Sequence, residues 1–371
     1  MKTFQYFSIV AICAILISCG NSNTRTLTAA TGSIYECLVV MDNHPLTQDQ
    51  LNAVAAKSLV NQASAYSQPI ATDYDMVKAV MEADMPCMPQ MEPYFKLTQV
   101  NVAHFDDMFK PTRNILIIDI NPQRYTQLKV KVSTNYWSKP QAVCRIQTPS
   151  QEEFVAYWLE NGEGIREWFI NQELQRQVGF YQAGSNKDAR AILERQGYDM
   201  LIPSDYIVVK DTLLVDEITT QPGTEVQVLW CCNNKGPMRR DILVYSYPYT
   251  DTNAFTLETL NAKRDAVLSQ LLSGSVEGSY MGTEYKVMPP QLRVINVQDS
   301  AQAYEVKGLW KLIDGEAMGG PYISHTRLDY VNGRVVTTET FLYAAGQKKR
   351  TAIRQAEAIL YTLTLPEDTI K

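Results

Sequence analysis

The sequence predicts an α+β fold in which two strand-rich regions, each with an antiparallel sheet packed by helices, are joined through a helical segment. Three observations predict this class. Runs rich in β-branched and aromatic residues recur in two blocks. A block with helical periodicity, beginning at residue 150, separates them. Asn332-Gly333 lies between two long strand-like runs, and this dipeptide is a strong signal for an antiparallel hairpin.

The first region, predicted over residues 34–195, begins with strands. Thr47 and Gln50 resemble a capping box that starts a helix. The strand-like runs cover residues 33–41, 95–102, 114–120 and 127–133. An amphipathic stripe from residue 150 predicts a long helix, and Lys187–Gln196 predicts a second helix that Gly197 ends.

The second region, predicted over residues 196–371, repeats the order of strands, helix, strands and helix. Strand-like runs cover residues 205–210, 225–232, 241–247, 304–313, 322–331 and 334–343. Leu257, Leu260, Val267 and Leu271 share one side of a helix between the two sets of strands. A final helix is predicted from about Gln347 to Thr362.

Composition and motifs exclude several classes of function. The chain has 371 residues and a formal net charge of −6, so it lacks the excess of positive charge that favours a nucleic-acid partner. It contains no Gly-x-Ser-x-Gly elbow and no phosphate-binding loop. His44, His104 and His325 lie far apart without zinc-ligand spacing. We therefore expect no metal, no cofactor and no catalytic residues, and the sequence favours a protein that is not an enzyme.

The N-terminus has the pattern of an export signal that ends in a lipidation site. Lys2 precedes an apolar run that ends at Ile17 and is too short to span a bilayer. Leu16-Ile17-Ser18-Cys19 looks like a bacterial lipobox, in which a small residue precedes the cysteine that is lipidated and becomes the new N-terminus. We predict a signal peptide over residues 1–18, lipidation at Cys19 and a flexible tether over residues 19–33. An ordinary signal peptide or an uncleaved anchor is the alternative.

Lipidation predicts a cell-envelope lipoprotein whose membrane partner is reached through the lipid. The tether has no acidic cluster after Cys19, which favours a body that faces the periplasm, and we expect the lipid to lie in the outer membrane. Five cysteines remain beyond Cys19, an odd number that requires at least one free thiol or an intermolecular bond. Cys231-Cys232 follow a strand-like run and are interpreted as packing residues.

Several segments of the chain resemble an uncharacterised lipoprotein family of Bacteroidota, classed as a domain of unknown function. The resemblance covers nearly the full mature chain. It is carried by residues 88–95, 113–116, 242–251, 278–281, 308–310, 318–322 and 341–344, with Lys349-Arg350. It implies an envelope lipoprotein of unknown activity and no catalytic residues.

Two segments are candidates for ligand binding. Tyr245, Tyr247 and Tyr249 alternate along a strand, which favours either packing or a platform on which a glycan or peptide stacks. Gly319-Gly320, followed by Pro321 and Tyr322, predicts either a tight turn or bulge or an exposed backbone that binds an anion or a substrate oxygen. His325 should face away from Tyr322 in a strand.

The basic run Lys348-Lys349-Arg350 opens the final helix, where positive charge is locally unfavourable. It indicates either an acidic partner or ordinary pairing with nearby carboxylates. Our first hypothesis for function is a non-catalytic binding module with a protein or glycan partner in the envelope. The alternative is an envelope hydrolase with a site assembled from scattered acids such as Asp314, Glu316 and Asp329.

Replacing Cys19 by alanine tests the predicted lipid anchor. The variant has no thiol to accept a diacylglyceryl group, so incorporation of a clickable fatty acid should fall to background. Labelling of wild type and Cys19→Ala in the same cells measures this. Equal label on both proteins would contradict the lipobox assignment.

Overall fold

The computed structural model describes residues 26–57, 69–216, 223–297 and 301–369. The predicted signal peptide and Cys19 lie outside these residues. Within the described ranges, no helix is both long and apolar enough to cross a membrane.

The N-terminal region contains a five-stranded sheet in the order β3-β2-β4-β7-β5. The strands of this sheet are β2 (Glu36–Val40), β3 (Lys96–Val100), β4 (Asn114–Ile120), β5 (Lys129–Thr134) and β7 (Ala142–Thr148). Two further short strands, β1 (Thr28–Ala29) and β6 (Ser138–Lys139), pair with each other outside the sheet. Its helices are α1 (Gln48–Ala56), α2 (Asp73–Met81) and α3 (Gln151–Tyr181), with a 3-10 turn at Val102–His104. Thr47 and Gln50 form the predicted capping box.

The α+β class is confirmed, but antiparallel pairing was the wrong expectation for this first sheet. The pairs β2–β3, β2–β4 and β4–β7 are parallel, and β5–β7 is antiparallel. The chain between β2 and β3 includes α1 and α2, which provide the long crossover that parallel neighbours need. Both faces of the central strands are buried: Cys37 and Val39 pack under α3, while Leu38 and Val40 pack under the loop that follows β3.

The predicted tether, residues 19–33, is partly folded onto this region. Thr28 pairs with Ser138 and Ala29 pairs with Lys139 in a parallel ladder, and Thr31 forms a bridge with Thr112. The Arg113 amide also donates a hydrogen bond to the Thr31 carbonyl over 2.8 Å. A tether from Cys19 therefore ends before Thr28.

The C-terminal region is built on an eight-stranded antiparallel sheet. Its strands run in the order β11-β13-β14-β15-β10-β9-β8, and β12 pairs with the part of β13 that β11 leaves free. The strands are β8 (Ile207–Asp216), β9 (Thr224–Asn233), β10 (Arg239–Pro248), β11 (Tyr280–Glu284), β12 (Gln291–Asn296), β13 (Gln302–Ile313), β14 (Gly319–Asp329) and β15 (Arg334–Tyr343). The predicted hairpin is present, with Asp329 opposite Arg334.

Helices cover both faces of the large sheet. Helix α5 (Leu257–Leu271) packs on one face, over Val335, and the helices α4 (Lys187–Arg195) and α6 (Arg350–Leu360) pack on the other face, over Val336. A 3-10 turn at Pro366–Thr369 follows α6. Because α4 buries its apolar side against this sheet, it belongs to the C-terminal region. The boundary predicted after residue 195 therefore lies before α4.

Helix α6 belongs to the hydrophobic cores of both regions. Ala358 packs in the core of the first region, and Ile353 and Ile359 pack in the core of the second. The long helix α3 lies against α6, and the Tyr181 hydroxyl donates a hydrogen bond to the Gln355 carbonyl over 3.0 Å.

The N-terminus of α6 is capped by a carboxylate from the other region. The backbone amides of Lys349 and Arg350 donate to the two oxygens of Glu92 over 2.6 Å and 2.9 Å. Glu92 is buried, so its negative charge offsets both the unpaired amides and the positive end of the helix dipole. The carboxylate that meets the start of α6 thus comes from the same chain and contacts the backbone of the basic run.

Candidate functional site

The predicted tyrosine platform is not formed. Tyr245 and Tyr247 are 2% and 5% exposed and pack beneath α5. The Lys263 ammonium lies 4.6 Å from the centre of the Tyr247 ring. Tyr249 is half-buried and its ring lies 6.1 Å from that of Phe255. The alternation along the strand therefore reflects packing, and the interpretation as a stacking surface was wrong for Tyr245 and Tyr247.

Gly319 and Gly320 are the first residues of β14 and serve close packing. A Cβ on Gly320 would lie 2.0 Å from the Leu342 carbonyl oxygen, and one on Gly319 would lie 2.6 Å from the Trp310 carbonyl oxygen. The space over Gly320 lets the Trp310 indole donate a hydrogen bond to the Leu342 carbonyl over 2.9 Å. The glycines thus admit a buried indole, and the predicted anion cradle is not present.

Tyr322 and His325 lie on opposite faces of β14, as predicted. Tyr322 is buried under α5, where the Arg264 guanidinium lies 3.6 Å from its ring centre. His325 is buried against α6, and its ring lies 4.8 Å from that of Tyr361. Neither side chain is available to a ligand at the surface.

Of the acids proposed for a hydrolase, Asp329 lies apart from Asp314 and Glu316. Asp314 and Glu316 lie in the exposed turn before β14, and Asp329 ends that strand. Eleven residues of strand separate the two ends by roughly 30 Å. Asp329 is also buried and accepts a hydrogen bond from the Arg334 guanidinium over 2.7 Å.

A cleft of about 390 Å³ lies beside the start of β14. We call it the Trp310 cleft; it is formed where the ends of β10, β11, β13 and β15 meet the segment after α5. Its apolar wall consists of Leu272, Met281, Trp310, Leu312, Met318, Phe341 and Tyr343. Trp310 and Phe341 are buried and form its floor, while Leu312 and Met318 are half-buried. Its size and apolar lining are typical of a small-ligand site.

One wall of the Trp310 cleft carries a charge pair whose carboxylate is buried. The Arg239 guanidinium donates to both oxygens of Asp241 over 2.9 Å and 3.0 Å, and the Trp230 indole donates to the same carboxylate over 2.8 Å. Burial raises the pKa of Asp241 even though Arg239 lies beside it. The Arg239 side chain is 43% exposed, and the pair uses its Nε and Nη2 atoms. Within the described residues, Nη1 donates no hydrogen bond of this pair.

The sequence did not indicate this cleft because its residues come from four strands and two loops. A partial signal was present in the resemblance. Met281, Trp310, Met318 and Phe341 each belong to a different one of the segments that carry it. These segments are distant in the chain and meet only in the folded sheet.

A second cleft, of about 440 Å³, lies where α3 meets β10 and α6. Its lining includes Gln177, Asp205 and Arg240 beside Phe180 and Tyr181. The Trp310 cleft has the more apolar wall, so it is the better candidate for a ligand with an apolar body.

Glu305, His325 and Glu357 form a buried group with the geometry of possible metal ligands. Cations already neutralise it: the Lys307 ammonium lies 3.4 Å from Glu305 and 3.1 Å from Glu357, and the guanidinium groups of Arg293 and Arg354 pair with Glu305 and Glu357. Burial alone would raise the pKa of Glu305, but Lys307, His325 and Arg293 hold it well below its usual range. Both carboxylates are therefore paired with cations, while the buried Nδ1 of His325 has no hydrogen-bond partner in the described chain.

The five cysteines of the described chain are buried free thiols. They are Cys37, Cys87, Cys144, Cys231 and Cys232. Burial raises the pKa of Cys144 and of Cys231 to about 12, so neither thiol is a nucleophile near neutral pH. The interpretation of Cys231-Cys232 as packing residues agrees with their burial.

The fold and the cleft define an α+β protein with a candidate site for a small apolar ligand. Residues 185–362 match the family model described as Domain of unknown function (DUF4837), and residues 58–182 match that described as Domain of unknown function (DUF8532). Together they cover most of the chain, consistent with an uncharacterised domain family, and they meet between α3 and α4. No curated protein matches the chain.

Substituting Gly320 by alanine tests the packing role of the paired glycines. The new Cβ cannot fit 2.0 Å from the Leu342 oxygen, so the free energy of unfolding should fall by about 1–3 kcal/mol. Gly164→Ala is the control, because a Cβ at that position would meet no atom within 4 Å and alanine in a helix should stabilise by about 0.5–1 kcal/mol. Urea unfolding measures both. An unchanged stability of Gly320→Ala would contradict the packing role.

Proposed function

We propose that this protein is a lipid-anchored cell-envelope protein that binds a ligand with an apolar body in the Trp310 cleft and catalyses no reaction. We place it in an envelope lipoprotein family of Bacteroidota, at the outer membrane and facing the periplasm. The ligand group beside Arg239 is an anion or another hydrogen-bond acceptor. A protein or glycan partner in the envelope that presents such a group fits this description.

The observation that carries the proposal is the composition of the cleft wall. Seven apolar side chains surround a space of about 390 Å³ that opens to solvent, and an apolar group that enters it leaves water. Arg239 is held in place by its two hydrogen bonds to Asp241. A pre-positioned guanidinium loses little freedom when it binds an acceptor.

The lipid anchor rests on the sequence around Cys19. The apolar run, the small Ser18 and the cysteine occur in the order that lipidation requires. The first described residue, Thr26, follows Cys19 by seven positions, so an anchored body stays within about 25 Å of the bilayer surface. A lipidated cysteine carries two or three chains, and two or more are needed for stable anchoring.

A hydrolase acting on glycan or peptide is the weaker alternative. Glycoside hydrolysis needs two carboxyl groups roughly 5–10 Å apart on either side of the scissile bond. Asp241 and Glu316 both line the Trp310 cleft, but both oxygens of Asp241 already accept hydrogen bonds from Arg239. Hydrolysis would require Asp241 to give up these hydrogen bonds, whereas ligand binding leaves them in place.

Binding of the dye 8-anilinonaphthalene-1-sulfonate tests the cleft, because the dye has an apolar body and one anionic group. Met318→Asp places a carboxylate in the apolar wall, so affinity for the dye should fall about tenfold or more. Arg239→Gln removes the positive charge that would meet the anionic group of the dye, so affinity should fall several-fold. Fluorescence titration of the folded proteins measures both effects.

Met108→Asp is the matched control. Met108 is 73% exposed and lies in the N-terminal region, so the same substitution there should leave dye affinity unchanged. Circular dichroism confirms that each variant is folded. Equal affinity for wild type and Met318→Asp, or no binding by the wild type, would contradict ligand binding in this cleft.

A further inference from the structure

The described chain leaves the folded body at one side of the N-terminal sheet. Thr28 and Ala29 pair with Ser138 and Lys139, which belong to the connection between β5 and β7. The Ser138 hydroxyl donates to the Pro111 carbonyl over 3.0 Å, so the loop before β4 lies beside the same connection. The N-terminal segment is thus attached next to both loops.

Three cations on this side of the described chain have no acidic partner there. Lys131 is opposite Arg145 in the β5–β7 ladder, and Lys139 is opposite Ala29. Lys131 and Lys139 are exposed and Arg145 is half-buried. Within the described ranges, none of the three forms an ion pair with a carboxylate. Lys110, on the neighbouring loop, is paired with Asp107.

Aromatic and apolar side chains lie among these cations. Tyr136 is 48% exposed, and the Arg145 guanidinium lies 4.7 Å and 4.9 Å from the ring centres of Tyr136 and Trp137. The ring of Trp137 lies 5.6 Å from that of Phe105. Met108, three residues further along that loop, is 73% exposed. Side chains with an apolar body among cations are typical of the interface between membrane and water.

We propose that this side of the protein, defined by Met108, Lys131, Tyr136, Trp137, Lys139 and Arg145, lies on a phospholipid bilayer that contains anionic lipids. We call it the exit face. The lysines and Arg145 would contact anionic headgroups, and Met108 and Tyr136 would enter the headgroup region. The inference rests on the proposed lipid anchor, and it adds an orientation of the N-terminal region on the bilayer.

The length of the tether supports this occupant over a soluble partner. Seven positions separate Cys19 from Thr26, which limits the distance from the bilayer to about 25 Å even for an extended chain. Arg25 is the charged residue of the sequence between them. The exit face is therefore the surface that the anchor brings nearest to the headgroups.

The test uses the full lipidated chain reconstituted in vesicles, with a nitroxide attached at Met108→Cys or, as the control position, at Tyr330→Cys. Tyr330 is 76% exposed at a hairpin tip of the C-terminal region. The other cysteines of the described chain are buried, so the label is specific. In vesicles of equimolar phosphatidylcholine and phosphatidylglycerol, the collision rate with a water-soluble nickel chelate should be several-fold lower at residue 108 than at residue 330.

Two double variants separate charge from proximity. Lys131→Ala with Lys139→Ala should restore accessibility at residue 108, while Lys210→Ala with Lys235→Ala, which removes two exposed lysines of the C-terminal region, should not. Equal accessibility at residues 108 and 330 in a lipidated, vesicle-bound protein would overturn the exit face and leave the anchor intact. Absence of fatty acid on Cys19 and of vesicle binding would instead overturn the proposed anchor.

Discussion

The packing of helix α6 between the two regions is the constraint on which the rest of the structure depends. The helix contributes Ala358 to one core and Ile353 and Ile359 to the other. Its first amides are capped by Glu92, which reaches it from the opposite region. The segment that contains Glu92 also contains Cys87, whose thiol donates a hydrogen bond to the Lys307 carbonyl of β13 over 3.1 Å. Two sequence regions are thereby built into one body.

Buried charge reinforces this arrangement and sets its geometry. Lys307 of β13 contacts both Glu305 of its own strand and Glu357 of α6. Burying such groups costs desolvation energy, and removal of one partner from a buried pair costs about 3–5 kcal/mol. The network therefore favours one position of α6 on the sheet over alternatives that would leave a charge unpaired. Lys307, Arg293 and Arg354 already pair with its carboxylates, so a metal ion would have to displace one of these cations.

Local sequence patterns predicted the helices, strands and hairpin well, but they did not predict contacts between distant segments. The capping box at Thr47, the long helix from residue 150 and the Asn332-Gly333 hairpin each depend on neighbouring residues, and each is present. Parallel pairing in the first sheet depends on how α1 and α2 cross it. The continuous apolar run of β4 was the available sign of a strand buried on both faces. Alternating tyrosines do not tell which face a later helix will cover, so the sequence left both packing and a stacking platform open for Tyr245 and Tyr247.

The candidate site illustrates the same limit. The sequence singled out Gly319 and Gly320 as a possible anion cradle, and the candidate cleft does lie beside them. Their role is different, however, because they make room for Trp310. Its apolar wall is assembled from strand ends that are adjacent only after β13, β14, β15 and β10 pair. The Trp310 cleft lies on the C-terminal sheet, and the proposed attachment point lies on the N-terminal sheet. Helix α6 packs against both regions, so the rigidity of its packing determines how firmly the cleft is held relative to the attachment point.

Hydrogen exchange measured by mass spectrometry in wild type and Glu92→Gln tests this central claim most directly. Loss of the capping charge should lower the opening free energy by about 1–2 kcal/mol. If α6 unites the two regions, the slowest amides of β4 and of β14 should lose protection by the same factor, about tenfold. Loss of protection confined to one of the two sheets would show that the regions open independently and would contradict the account.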